Sequence, residues 1–96
     1  MSKQTLIRIR AAIRHGTYDM TQHASEEMAE DDLDIVDVET SIGNGKLVKS
    51  EKGDPRGTRH TVHGTGADHK TQVGTVGRFT ETGRYLLITV YEVTET

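Results

Sequence analysis

Apolar side chains recur at helical spacing in the first half of the chain and at strand spacing in the second. Leu6, Ile9 and Ile13, with Ala12, share one helical face, while Arg8, Arg10 and Arg14 lie mostly off it. This predicts an amphipathic helix over 3–14 that Gly16 can stop and that covers a sheet. Thr21 is a plausible N-cap, its hydroxyl accepting from a free N–H of the first turn, for a helix over 21–30 in which Ala24 and Met28 share a face. Asp34 caps a third helix over 35–43. Asp37 lies in its first turn, where the helix dipole favours an acid, and Ile35, Val38 and Ile42 form its buried stripe. Asn44-Gly45 tolerates positive φ and turns the chain into the first strand.

Four strands are expected beyond that point, near 46–51, 58–63, 69–79 and 84–93. The connections are the polar Lys52–Gly57, the glycine-rich Gly64–Asp68, and Thr80–Gly83, which reads as a tight hairpin with Gly at a residue of positive φ. Such short links imply an antiparallel meander. The fold class is therefore α+β, with N-terminal helices packed on a four-stranded antiparallel sheet, in one domain over 1–96. Alternation places Leu86, Ile88 and Val90 on the core face of the last strand and Tyr85, Leu87, Thr89 and Tyr91 on the other. In the second strand, Val62 marks the core side and is joined by His60. Arg59, Thr61 and His63 then share the face of Thr89 and Tyr91.

Composition narrows the function. Hydrophobic residues make up only 32% of the chain, so the core is small and has no room for a large cofactor cavity. No cofactor is expected. The absence of Cys removes disulfides and thiolate metal sites and fits a reducing cytoplasm. Tyr85–Ile88, an all-apolar run, is far too short for a membrane span, and the arginines of the first helix interrupt what a secretory signal needs. The net charge of −3 conceals a division. Residues 19–39 hold nine acids and no Lys or Arg, whereas residues 43–96 hold eight Lys/Arg against six acids. The acidic stretch reads either as a solvated helix face or as a surface that meets a basic partner and repels nucleic acid.

Few residues stand out chemically. His23 lies at a helix N-terminus, where the dipole disfavours protonation, and can serve as a base with Glu26 or Glu27 to orient it. Its plain structural role is packing and capping. Arg59, mid-strand on a polar face, can hold a phosphate bidentately or form a cross-strand ion pair. Tyr91 can hydrogen-bond the same phosphate or simply pack. His60 and His63 point to opposite faces and make a poor metal pair. Gly64–Thr71 falls short of a phosphate loop, with His69 where Gly is needed and a strand following.

Several segments carry a resemblance: Thr21-Gln22-His23-Ala24 with Met28, Asp37-Val38, Ile42–Val48, Arg59–Gly64, and the closing Thr89-Val90-Tyr91. Over residues 18 to 93 the chain resembles the small bacterial domains grouped as domain of unknown function 4258, which look like relatives of RelE/ParE toxins. The resemblance implies a RelE-like fold and a toxin-like ribonuclease or translation inhibitor, cleaving RNA without a metal and held by a cognate antitoxin protein. It implies catalytic roles for His23, Arg59, Tyr91 and Glu27, with functional atoms converging within about 10 Å of each other. RNA or the ribosome would be met through Arg56, Arg59, Lys70, Arg78 and Arg84. The chain departs from the family where arginines are usual, carrying Glu26-Glu27 and Asp31-Asp32-Leu33 instead. That departure keeps a second reading open, a non-catalytic protein-interaction module of the same fold.

Overall fold

A computed structural model describes residues 2–94. The first helical stripe forms α1 (Ser2–His15) and buries Ile9 and Ala12 completely or nearly so. Gly16, at φ +71°, ends it in the left-handed conformation that favours glycine. Thr21 caps α2 (Gln22–Glu30), accepting from Ala24 N at 3.0 Å. Asp34 and Asp37 form a reciprocal capping box at the start of α3 (Ile35–Asn44). Val38 and Ile42 are fully buried there, joined by Ser41, whereas Ile35 is exposed and does not belong to the stripe.

The sheet differs from the expected one. It has five strands, β1 (Tyr18–Met20), β2 (Lys46–Glu51), β3 (Arg59–Thr65), β4 (Gln72–Phe79) and β5 (Tyr85–Glu92), in the order β1-β5-β4-β3-β2. The last four form the antiparallel meander, but β1 runs parallel to β5, so the sheet is mixed. Three residues are too few to show alternation. β1 is fixed by its surroundings instead, with Tyr85 N donating to Thr17 O and Thr21 N to Leu87 O. Residues 66–71, partly assigned to a strand from sequence, form a turn in which Asp68 accepts from Lys70 N, Thr71 N and the Thr71 hydroxyl. Those bonds, the Thr71 hydroxyl first, hold the Asp68 carboxyl down at about 2.

Two bulges re-set the strand faces. The β4–β5 register shifts at Ile88, opposite the Val76/Gly77 step. Tyr85 and Leu87 therefore lie in the core before the bulge and Val90 lies there after it. The uniform alternation of β5 expected from sequence is corrected accordingly: Tyr85 and Leu87 are core, Leu86 and Ile88 are not. Val48 is the extra residue in β2, between Leu47 opposite Val62 and Lys49 opposite Thr61.

Helices α1 and α3 cover the face of Val62, Val73, Leu87 and Val90. Burying each large apolar side chain there contributes about 1.5–3 kcal/mol. Arg10 crosses from α1 to the end of α3, donating to Ile42 O at 3.0 Å and Gly45 O at 2.8 Å. It satisfies carbonyls that the helix leaves open and sets a positive charge at the negative dipole end. Gly45 is not in the positive-φ conformation expected of the Asn-Gly turn; φ is −85°. It is required for space, because a Cβ there would meet the backbone of Ser41 and His63.

Tyr85 is fully buried and its hydroxyl has no partner among the described residues. Burial pushes that hydroxyl's pKa up. Tyr85→Phe removes an unsatisfied polar atom without changing the ring, so it should leave stability unchanged or raise it by about 1 kcal/mol. The urea midpoint of the variant checks this.

Candidate functional site

No helix packs on the far face of the sheet, and none of its side chains joins the core cluster. That face carries Lys46 and Lys49 on β2, Arg59, Thr61 and His63 on β3, Val76 and Arg78 on β4, and Leu86, Thr89 and Tyr91 on β5. The centre of interest is one register row. Lys46 pairs with His63, His63 with Gly74, and Gly74 with Tyr91. Gly74 leaves β4 bare, and the Tyr91 ring lies across it. A Cβ at 74 would overlap that ring. Tyr91 thereby reaches His63, two strands away, with 2.8 Å between its hydroxyl and His63 Nε2 and the rings edge to face at 5.7 Å. Burial raises the Tyr91 pKa, so the phenol keeps its proton, and the His63 tautomer sets which of the two groups donates.

The other candidates fall elsewhere. His23 is exposed in the first turn of α2, with Nε2 at 3.2 Å from Glu27 Oε2. Glu27 spends its other oxygen on the β5 edge, accepting from Val90 N at 3.2 Å. One helical turn on, Asp31 accepts from Glu92 N at 2.9 Å. Of the two acids proposed to orient His23, Glu27 does so, while Glu26 accepts from Gln22. Arg59 is not drawn into a site with Tyr91. It lies four residues from His63 on β3, about 13 Å at the rise of a strand, and faces Asp54 at 4.0 Å. The structure pairs Tyr91 with His63 and sets Arg59 against Asp54.

The basic residues do not form one patch. Arg56 is tied to Asp54, whose carboxyl is held below its usual range first by the Arg56 backbone N–H. Arg78 Nη1 donates to Arg56 O at 3.4 Å. Arg84 is clamped by Asp19 at 2.7 and 3.1 Å and also donates to Tyr18 O, which staples β1 to β5. These three and Arg59 sit at one end of the sheet. Lys70, in the β3–β4 turn, lies at the other end with the His63 row.

The acids of residues 19–39 have structural duties. Asp19 holds Arg84; Glu27 and Asp31 satisfy the β5 edge; Asp34 and Asp37 cap α3. Asp37 also accepts from Ala67 N, and Glu39 accepts from the Tyr18 hydroxyl at 2.7 Å. Tyr18 is pushed up to about 12, by burial first and then by Glu39. Among the described residues no group of three His, Asp or Glu side chains is placed to hold a metal. No helix of the described residues is long and apolar enough to cross a membrane.

Sequence reasoning placed His63 on the same face as Tyr91 but left it out of the site, along with Lys46 and Gly74. The two glycines within β4, Gly74 and Gly77, were the available signal, since a glycine in mid-strand marks close approach of another group. Residues 20–92 match the family model described as "Domain of unknown function (DUF4258)". No curated protein and no solved structure matches the chain.

Proposed function

Starting from the fact that the chain belongs to the DUF4258 family, we propose that it is a RelE-like toxin component, a metal-independent endoribonuclease that acts on the uncovered face of its sheet and is held by an antitoxin protein. The hydrogen bond between His63 and Tyr91 across Gly74 carries this reading. An imidazole within reach of a phosphate-binding hydroxyl is what 2′-hydroxyl attack on the adjacent phosphate requires. His63 takes the 2′-hydroxyl proton through Nε2 once RNA displaces the Tyr91 hydroxyl from it. The 2′-oxygen bonds phosphorus as the P–O5′ bond breaks, leaving a 2′,3′-cyclic phosphate and a 5′-oxygen that takes a proton from water. Tyr91 then donates to a non-bridging phosphate oxygen, and Lys46, register partner of His63, supplies positive charge. His23 and Glu27 lie beside β5 and orient each other outside that row. In this reading they serve to position β5.

A second reading, the interaction module, draws on a different observation. Arg56 and Arg84 are already paired with carboxylates, which thins the surface on which phosphate binding would rely.

Purified protein incubated with a single-stranded RNA in EDTA separates the two. Under the ribonuclease reading the wild type cuts, and His63→Ala loses about 10²–10⁴-fold in rate, while His23→Ala stays within about threefold. A wild type that leaves the RNA intact, or a His63→Ala variant as fast as wild type, leaves only the module.

A further inference from the structure

β2 ends the sheet. On one side it pairs with β3; on the other, no backbone N–H or C=O of residues 46–52 has a protein partner among the described residues. Natural edge strands are usually blocked by charged side chains, lysine above all, by a covering element, a proline or a bulge. β2 carries Lys46, Lys49 and Glu51 together with the Val48 bulge, but no proline interrupts it. Glu27 and Asp31 satisfy donors at the opposite margin of the sheet, so the molecule quiets one edge and leaves the other open.

Beside this open edge runs a groove of about 770 Å³ between the first turns of α1 and the β2–β3 ladder. Its apolar lining is Leu47, Val48 and Phe79; its charges are Arg8 and Lys52, with no carboxylate among the lining residues, while Lys49 borders it from the far face and pairs with Glu51. Val48 is half exposed, and Arg8 stacks over the Phe79 ring at 4.1 Å. Inside the groove His60 bonds Ser50 at 2.8 Å, and burial followed by the charge of Arg8 lowers its pKa.

We infer that the β2 edge is a docking site for an extended acidic peptide of a partner protein, which adds a sixth strand and places alternate side chains in the groove. The open main-chain groups supply affinity, as in strand addition generally, and the groove supplies selection of side chains. The charge pattern chooses the sign: cations with apolar patches between them fit acidic residues alternating with apolar ones. The edge chooses a peptide over RNA, because a nucleic-acid backbone has no N–H groups to complete a ladder. This inference stands apart from the ribonuclease reading, since the groove lies on the helix side of the sheet and shares no residue with the His63–Tyr91 row.

The test uses the full chain and three synthetic eight-residue probes: one alternating Glu and Val, the same peptide N-methylated at every second residue, and one alternating Lys and Val. Binding is read by amide exchange across residues 46–52 and by fluorescence anisotropy. The Glu–Val probe should slow exchange in β2. N-methylation should weaken it on the order of tenfold or more by removing ladder bonds, and the Lys–Val probe should fail to bind. The double variant Arg8→Glu with Lys52→Glu should weaken the Glu–Val probe about tenfold while its far-ultraviolet spectrum stays that of the wild type. Equal binding by the N-methylated probe would overturn the edge pairing. Protection of residues 46–52 by a single-stranded RNA in preference to the peptide would overturn the choice of partner. So would protection by a concentration-dependent dimer of the chain itself, and so would no binding. RNA cleavage is not read in any arm, so its absence leaves this result standing.

Discussion

Gly64→Ala should destabilise the protein by about 3 kcal/mol or more, at the upper end of what overpacking costs. For a chain this short that is a fall in Tm on the order of 10 °C or beyond. The cause is direct backbone-on-backbone contact. Where β3 passes under the end of α3, a Cβ at 64 would overlap the Ser41 carbonyl and sit 2.9 Å from Asn44 Oδ1. Neither neighbour can retreat. Ser41 is buried and its hydroxyl bonds Val38 O, while Asn44 holds Thr65 by two bonds, Nδ2 to Thr65 O and Thr65 N to Oδ1. The internal control is Gly43→Ala. That glycine is in α3 with nothing within 4 Å of its missing Cβ, so alanine there should add up to about 1 kcal/mol through helix propensity. Thermal unfolding of both variants checks the pair, and an equal response from the two would mean that β3 and α3 are not in the contact described.

Gly74→Ala should abolish the His63–Tyr91 contact while leaving a folded protein. A methyl group at 74 occupies the volume of the Tyr91 ring, and that ring is half-buried at the margin of the sheet, so it can swing out. The stability loss should therefore stay near 1–3 kcal/mol. The loss of cleavage, if RNA is the substrate, should approach that of Tyr91→Ala, and the double variant should be no worse than either single one. Such non-additivity is expected of residues that act through one contact. Cross-peaks between the His63 and Tyr91 rings, present in the wild type and absent in Gly74→Ala, read the geometry independently of activity.

How far these features were legible in the sequence depends on their range. Caps announce themselves locally, so Thr21 and the Asp34–Asp37 pair could be placed from residue type and spacing. So could Gly83, which has φ +85° in the β4–β5 hairpin. The short β1 could not, because its three residues are held by β5 and by the Asp19–Arg84 clamp, contacts more than sixty residues apart. The faces of β5 were half-legible. Alternation fixed Val90 and Tyr91, but the bulge at Ile88 reversed the phase for Tyr85 and Leu87, and no side chain in Tyr85–Tyr91 advertises a bulge. Gly45 was assigned to its turn for the wrong physical reason, since the crowding that excludes a side chain comes from His63 across the sheet. The same limit applies to the site. His63, Gly74 and Tyr91 are far apart in sequence and meet only through strand register, whereas Arg59 stood out from residue type, strand position and the family resemblance, and lies 4.0 Å from Asp54.

The acidic stretch shows the difference between composition and placement. Nine like charges in a row suggest a surface field. Most of those carboxylates instead accept hydrogen bonds from backbone, from Arg84 or from Tyr18, so their sequence clustering serves caps and edges.

The central claim is that the helix-free face of the sheet, at the His63 row, is where this protein meets its substrate. Amide and ring chemical shifts recorded while adding a single-stranded RNA blocked at the 2′-hydroxyls test it most directly. The account predicts the largest changes at Lys46, His63, Gly74 and Tyr91, weakening steeply as salt is raised. Changes confined to α2 or to the groove beside α1, with the His63 and Tyr91 rings unmoved, would contradict it.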